Sequence, residues 1–382
     1  MTKLPLAKPS FDQRELEAVR RVLASGWVVQ GPEIEAFEAA IAELHQARHS
    51  IALSSGTAAL HVCYLALGIG PGDAVFVPSF AWPSAANMAM AVGARPVFVD
   101  VLPRTYNLDP ADLRLRIRQC LENGWGRPRA VVPVHEFGLA AEMDAVLQIA
   151  AEHQLDVIED AACALGATYH GRPVGTFGKL GIFSFHPRKA ITTGEGGAIV
   201  TNDDALAERC RQWRNHGQAF TDGQRDFVLA GFNYRMTEIQ AAIGRVQLEK
   251  FPEILAHRRR LAAMYLEQLA DCPAITLPES HPEHTWQTFM VVLDERFDRA
   301  EMIRRLAAQG IEAGPGSVAG HCGEVYRERF GYRPSDLPHS ARLHNCGLAL
   351  PLHSHLAHER ARDVALQLLS GVLFETSAVR NA

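Results

Sequence analysis

Along the first two hundred residues, short runs that are apolar throughout alternate with longer stretches whose apolar positions recur every three or four residues. Residues 51–53, 74–77, 97–99, 130–134 and 157–158 are the apolar runs, and 57–67, 83–92, 110–121 and 143–152 are the helical stretches between them. Strands with no polar alternation are buried on both faces. Helices between successive strands imply a largely parallel sheet covered on both sides, with ligands at the carboxyl ends of its strands. Upstream, residues 11–24 carry Leu16, Val19 and Leu23 on one helical face, and Ser25-Gly26 stops that helix. A glycine-bounded loop, 26–31, precedes a second helix, 33–44, with Ile34, Phe37, Ile41 and Leu44 in register.

Downstream, strands at 182–185 and 198–201 flank a turn, followed by helices at 203–215, 237–248 and 251–269, the last beginning near Pro252. The remainder has a strand at 286–293 and helices at 300–309 and 358–369, the pattern of a smaller α+β unit. The boundary is therefore set at Lys250: a large domain, 1–250, whose N-terminal segment packs on the small one, and a small domain, 251–382, whose residues 375–382 are expected to fray.

A chain of 382 residues is too long for one ordinary core. Its net charge of -5 without a basic run lacks the electrostatic footprint of nucleic-acid or anionic-membrane binding. No apolar stretch reaches membrane-spanning or signal-peptide length. Seven cysteines are scattered with no C-x-x-C pair, which argues for a reducing compartment, the cytoplasm, and against a zinc site or disulfide framework. The 17 histidines show no metal-ligand spacing, and most are expected at the surface.

Candidate chemistry concentrates in the stretch from Gly181 to Asn202. Lys189 lies on the turn between two apolar strands, in a chain with only five lysines and an excess of arginine. Arginine serves wherever positive charge suffices, so a lysine here suggests amine chemistry such as Schiff-base formation, with a solvated turn lysine as the ordinary alternative. Ser54-Ser55-Gly56-Thr57-Ala58 closes a strand and opens a helix, where backbone N–H groups and partial positive charge suit a phosphate; a plain helix cap has the same sequence. Trp82 follows another strand and could stack on a flat ring, with Phe80 as fallback. Glu159-Asp160 ends a third strand, where Asp160 suits either a ligand cation or a helix cap.

Ser184-Phe-His-Pro-Arg-Lys189 followed by Thr193-Gly-Glu-Gly-Gly197 resembles the cofactor-lysine signature of the DegT/DnrJ/EryC1/StrS sugar aminotransferases, and the likeness runs over nearly the whole chain. The resemblance implies an α/β, fold type I (aspartate-aminotransferase-like) architecture with a mixed, mostly parallel sheet, and pyridoxal 5'-phosphate as cofactor. Lys189 would carry the cofactor and shuttle protons, for which partial burial and the cationic cofactor are expected to bring its pKa near neutrality. Gly56, Thr57, Ala58 and Ser184 would hold the phosphate, Trp82 would stack on the ring, and Asp160 would face its nitrogen. Cys163 stands where the family usually places Gln or His against the 3-oxygen. Asn233, in Gly231-Phe-Asn-Tyr-Arg-Met-Thr-Glu238, would reach the partner's phosphate across a homodimer interface. His186, Arg235 and His321 are substrate candidates, although the loop around His321 departs from the commonest form. The implied reaction moves an amino group from glutamate or glutamine to a nucleotide-linked 3- or 4-keto-6-deoxy sugar. A cyclitol or other non-nucleotide ketone is the alternative substrate. The dehydrating branch of the family lacks the lysine, and a non-catalytic cofactor-binding regulator would not need the full set of residues.

Overall fold

The computed structural model describes residues 3–380. Its central sheet has seven strands in the order His49–Leu53, Gly197–Thr201, Leu180–Ser184, Asp156–Asp160, Arg127–Val131, Asp73–Pro78 and Arg95–Val99. Gly197–Thr201 runs antiparallel to both its neighbours, and the remaining pairings are parallel. The sheet is therefore mixed and mostly parallel. Ile51, Leu53, Val75, Val77, Ile158 and Ile182 face one helical layer, while Phe76, Val97, Val99, Val131 and Val157 face another. Burial on both faces explains why these strands read as unbroken apolar runs.

Helix starts follow local chemistry. Asp12 and Glu15 form a capping box on Gln13–Ser25, and Gly26 ends that helix in the left-handed conformation. Ser55 caps Gly56–Ala66, its hydroxyl accepting from Ala58 N at 3.1 Å. Pro32–His45 begins at Gly31, which has no side chain to cap it. Glu238, more than two hundred residues on, supplies the oxygens instead: Oε1 accepts from Gly31 N and Ile34 N, and Oε2 from Glu33 N.

The two helices expected on either side of Lys250 are one, Glu238–Leu269, with Pro252 inside it. A proline there removes one helical hydrogen bond. Packing on both sides outweighs that loss: Phe251 and Ile254 are buried in a core against the central sheet, and Leu261, Tyr265 and Leu269 are buried in a second core. The second core surrounds the antiparallel strands Ile275–Thr276, Phe289–Leu293 and Gly347–Leu350 and the helices Arg299–Ala308 and His358–Arg380. Leu4 adds a parallel bridge to Ile311.

Two further expectations change. The strand predicted from 286 starts at Phe289, because Trp286 adopts a positive φ of 52° and stacks on His284. The tail expected to fray from 375 continues as helix to Arg380, while residues 381–382 lie outside the described part. Twelve of the 17 histidines are at least partly exposed, in line with the expectation for most of them, whereas five, at 45, 135, 284, 321 and 353, are buried. Ring-nitrogen hydrogen bonds help to make this tolerable: His45 Nδ1 donates to Val174 O, and His321 Nδ1 pairs with Ser79 Oγ.

Candidate active site

The parallel strands end at a cavity of about 430 Å³. Following the strand order, Ser55, Gly56 and Thr57 lie beyond the first strand and Ser184 at the end of the third. Asp160 ends the fourth, Glu136 follows the fifth, and Ala81 and Trp82 follow the sixth. The turn after Ser184 contributes Lys189, His186 and Arg188, and Gln287, Thr288 and Ser317 complete the lining, Gln287 Nε2 donating to Arg188 O at 2.8 Å.

Neighbouring residues on a strand point to opposite faces, and the Glu159-Asp160 pair divides accordingly. Glu159, wholly buried, accepts from Gly175 N, Phe177 N, Gly178 N and His135 Nε2 at 2.6–3.0 Å. His135 Nδ1 accepts from Ala141 N, so a neutral ring carries its proton on Nε2. Asp160 is left for the cavity, with Oδ1 accepting from Ala162 N at 3.0 Å. Burial raises the Asp160 pKa, against the pull of Ala162 N–H, Lys189 and His135. A carboxylate so placed gains from a cationic N–H partner.

Lys189 sits in a tight turn, its N–H donating to His186 O at 2.8 Å, and Nζ donates to Cys163 Sγ at 3.0 Å. Burial lowers the amine's pKa, but Cys163, Asp160 and Glu136 together outweigh it and the net shift is upward. The surrounding acids favour the charged form, so the lowering toward neutrality expected from burial and the cofactor would have to come from the positive charge of the cofactor.

The remaining assignments divide as follows. Gly56, Thr57, Trp82, Cys163, Ser184 and His186 all line the cavity. Trp82 is 69% exposed, while Phe80 is fully buried against Tyr106 and Phe137. Ala58 does not line the cavity, and its N–H is held by the Ser55 cap. Arg235 donates to Asn215 Oδ1 at 2.6 Å and lies outside the cavity, as does the exposed Asn233, which bridges to Asn215. His321 neither lines the cavity nor reaches the surface. It is wholly buried, with Nδ1 paired to Ser79 Oγ at 2.5 Å, because Gly320 packs on the strand end and draws the loop inward. Sequence reasoning missed Glu136, Gln287, Thr288 and Ser317. An acid two residues beyond the apolar run 130–134 was a visible signal for Glu136.

These residues fit pyridoxal phosphate. The chain backbones at the first two strands approach so closely that a Cβ on Gly197 would lie 2.4 Å from Ser55 C, and one on Gly56 would lie 3.0 Å from Ser184 Cβ. Glycine there brings the start of the helix Gly56–Ala66 beside the Ser184 hydroxyl, a phosphate cradle. A single lysine and a buried aspartate complete the complement of an amine and an acid that such a cofactor requires.

Residues 9–369 match the family model of the DegT/DnrJ/EryC1/StrS aminotransferases. An aminotransferase of that family from Brucella abortus superposes with a TM-score of 0.88 at 34% identity, covering 94% of this chain and 95% of that one. DesV from S. venezuelae gives 0.87 at 34%, covering 96% and 98%. PseC from Helicobacter pylori, an aminotransferase in pseudoaminic acid biosynthesis, gives 0.89 at 28%, covering 97% and 99%.

Proposed function

Because the chain belongs to the DegT/DnrJ/EryC1/StrS aminotransferase family and is a pyridoxal-phosphate-dependent enzyme, we propose that it transfers an amino group from glutamate or glutamine to a nucleotide-linked 3- or 4-keto-6-deoxy sugar. The observation that carries this reading is one cavity lined by two chemically different sets of residues. One set is Lys189, Asp160 and the cradle of Gly56, Thr57 and Ser184; the other is Trp82, His186, Arg188, Gln287, Thr288 and Ser317. The second set suits a ligand rich in hydroxyls with an anionic end, which Arg188 would meet.

Bound pyridoxal phosphate supplies the electron sink for a carbanion beside nitrogen. Lys189 anchors the cofactor and moves the proton to and from the substrate carbon, and Asp160 holds the proton on the ring nitrogen. Ser184 and the helix N–H groups hold the phosphate, and Trp82 covers the ring. We assign Asn233 to the partner's site in a homodimer, since in one chain it is exposed and outside the cavity. Seven free cysteines support the cytoplasm as the compartment.

Borohydride reduction of the holoprotein should fix the cofactor on the peptide containing Lys189, and Lys189→Ala should abolish that fixation. Glutamate or glutamine should then bleach the visible absorbance, and a panel of keto-sugar nucleotides and keto-cyclitols should be offered to restore it. Recovery with the sugar nucleotides is expected. Recovery with the cyclitols alone would replace the substrate assignment, and failure of both amino donors to bleach would end the aminotransferase reading.

A further inference from the structure

Glu136 is a carboxylic acid in a place where neither the fold nor the proposed chemistry has yet used it. It is 4% exposed yet lines the cavity. Its position is fixed with care. Glu136 N donates to Asn107 Oδ1 at 2.8 Å, and Asn107 also holds Leu139 O and Ala140 O through its amide. The next residue, Phe137, is buried at a φ of 55°, a conformation that a non-glycine residue adopts at some cost. Thr285 N and Gln287 N lock this turn by donating to Gly138 O and Phe137 O. A strained turn braced from two sides aims the side chain.

The strand order says what it is aimed at. The phosphate cradle lies at the ends of His49–Leu53 and Leu180–Ser184, and Asp160 lies one strand further along. Adjacent strands are about 4.8 Å apart, so Glu136, beyond the next strand, stands on the side of Asp160 away from the cradle. In pyridoxal phosphate the phosphate arm and the 3-oxygen are on opposite edges of the ring, flanking the carbon that joins the lysine. With the nitrogen held by Asp160 and the phosphate arm by Ser184, the 3-oxygen edge would turn toward Glu136. The groups facing Glu136 are Lys189, Asp160, Cys163 and the hydroxyl of Ser317. Cys163 is a weak donor and already accepts from Lys189 Nζ, which leaves the carboxyl as the stronger donor on that wall.

We propose that Glu136, as a neutral carboxylic acid, donates a hydrogen bond to the 3-oxygen of the bound cofactor and so sets the proton affinity of the Lys189–cofactor linkage. Burial is the main reason the acid can keep its proton. It pushes the Glu136 pKa up to about 8, with Asp160 adding to the rise and Lys189 and Ser317 opposing it.

The inference rests on the pyridoxal-phosphate reading, and borohydride fixation on Lys189 is checked first in every variant so that failure of the two can be told apart. The readout is the visible spectrum of the holoprotein titrated with pH, without substrate. A donor to the 3-oxygen stabilises its anionic form and lowers the proton affinity of the linkage. Glu136→Leu should therefore raise the titration midpoint by about one pH unit, the size of one charge-assisted bond. Glu136→Gln, whose amide N–H can still donate, should stay near the parent value and serves as the test if the leucine variant folds poorly. A lowered midpoint in Glu136→Leu would mean that an ionised carboxylate had been removed, and an unchanged one that no contact exists. Either result, or a glutamine variant that shifts as far as the leucine variant, would overturn the proposal.

Discussion

Glu238→Ala removes the acceptors for three backbone N–H groups at the start of the helix Pro32–His45. Glu238 is 1% exposed, and its bonds to Gly31 N, Glu33 N and Ile34 N measure 2.9, 2.9 and 3.1 Å. Pro32 contributes no N–H, so the carboxylate takes up the helix-terminal donors that the glycine at the cap position leaves unpaired. Each bond to a charged acceptor contributes about 1.5 kcal/mol at the low end, so with three bonds the alanine variant should lose about 4–5 kcal/mol, a large share of an ordinary folding free energy. Glu238→Gln separates the oxygens. Oε1 serves both Gly31 and Ile34 and can be kept as the amide oxygen, whereas Glu33 N would face an NH2, so about 1–2 kcal/mol should go. Urea melts give the global loss, and hydrogen exchange on the peptide 31–45 should show the N-terminal turn opening first. Equal losses in the two variants would refute this oxygen-by-oxygen account.

Mixing Lys189→Ala with Asn233→Ala, each inactive alone, should restore up to about a quarter of the sites if Asn233 serves the partner, because one site of each mixed dimer then has both residues; continued inactivity in a proven mixed dimer would place Asn233 at its own site. His45 and His353 are held by burial at a pKa of about 4 and His284 at about 3, so the unfolded chain binds more protons than the folded one below the ordinary histidine pKa. Their stabilising contribution is complete above about pH 6.5 and is lost as pH falls toward 4. Urea midpoints across that range should reveal an uptake of about three protons on unfolding beyond the carboxylate background, and a flat profile would contradict the buried neutral rings. His321→Ala breaks the bond to Ser79 that ties the loop carrying Ser317 to the strand end before Trp82, so it should cost about 1–3 kcal/mol and weaken substrate binding more than cofactor binding. Separate titrations of cofactor and amino acceptor measure that split.

The alternation of apolar runs and amphipathic stretches was enough to locate the strands of the central sheet and the helices between them, although the strand expected at 130–134 lies at Arg127–Val131, because burial on both faces leaves a local trace in each segment. Lys189, Asp160 and the Gly56-Thr57 turn were legible for a related reason: each sits just beyond an apolar strand, where the chain reverses and a polar residue needs a purpose. Pairings across the fold leave no such trace. Pro252 read as a helix start, and only the two cores packed along Glu238–Leu269 show why the helix runs through it. Glu238 read as the first residue of its own helix, yet it caps another one. His321 looked available for substrate until Ser79 and Gly320 drew it into the interior. Glu136 could be seen as an acid after a strand, but its burial, its braced turn and its place across Asp160 from the phosphate cradle depend on strand order, which apolar periodicity does not encode. Local sequence determines which segments bury their faces and which residue types stand at their ends. The directions in which those ends converge, and therefore the charges and burial that shift the Lys189 and Glu136 pKa values upward, are decided by which strands lie side by side.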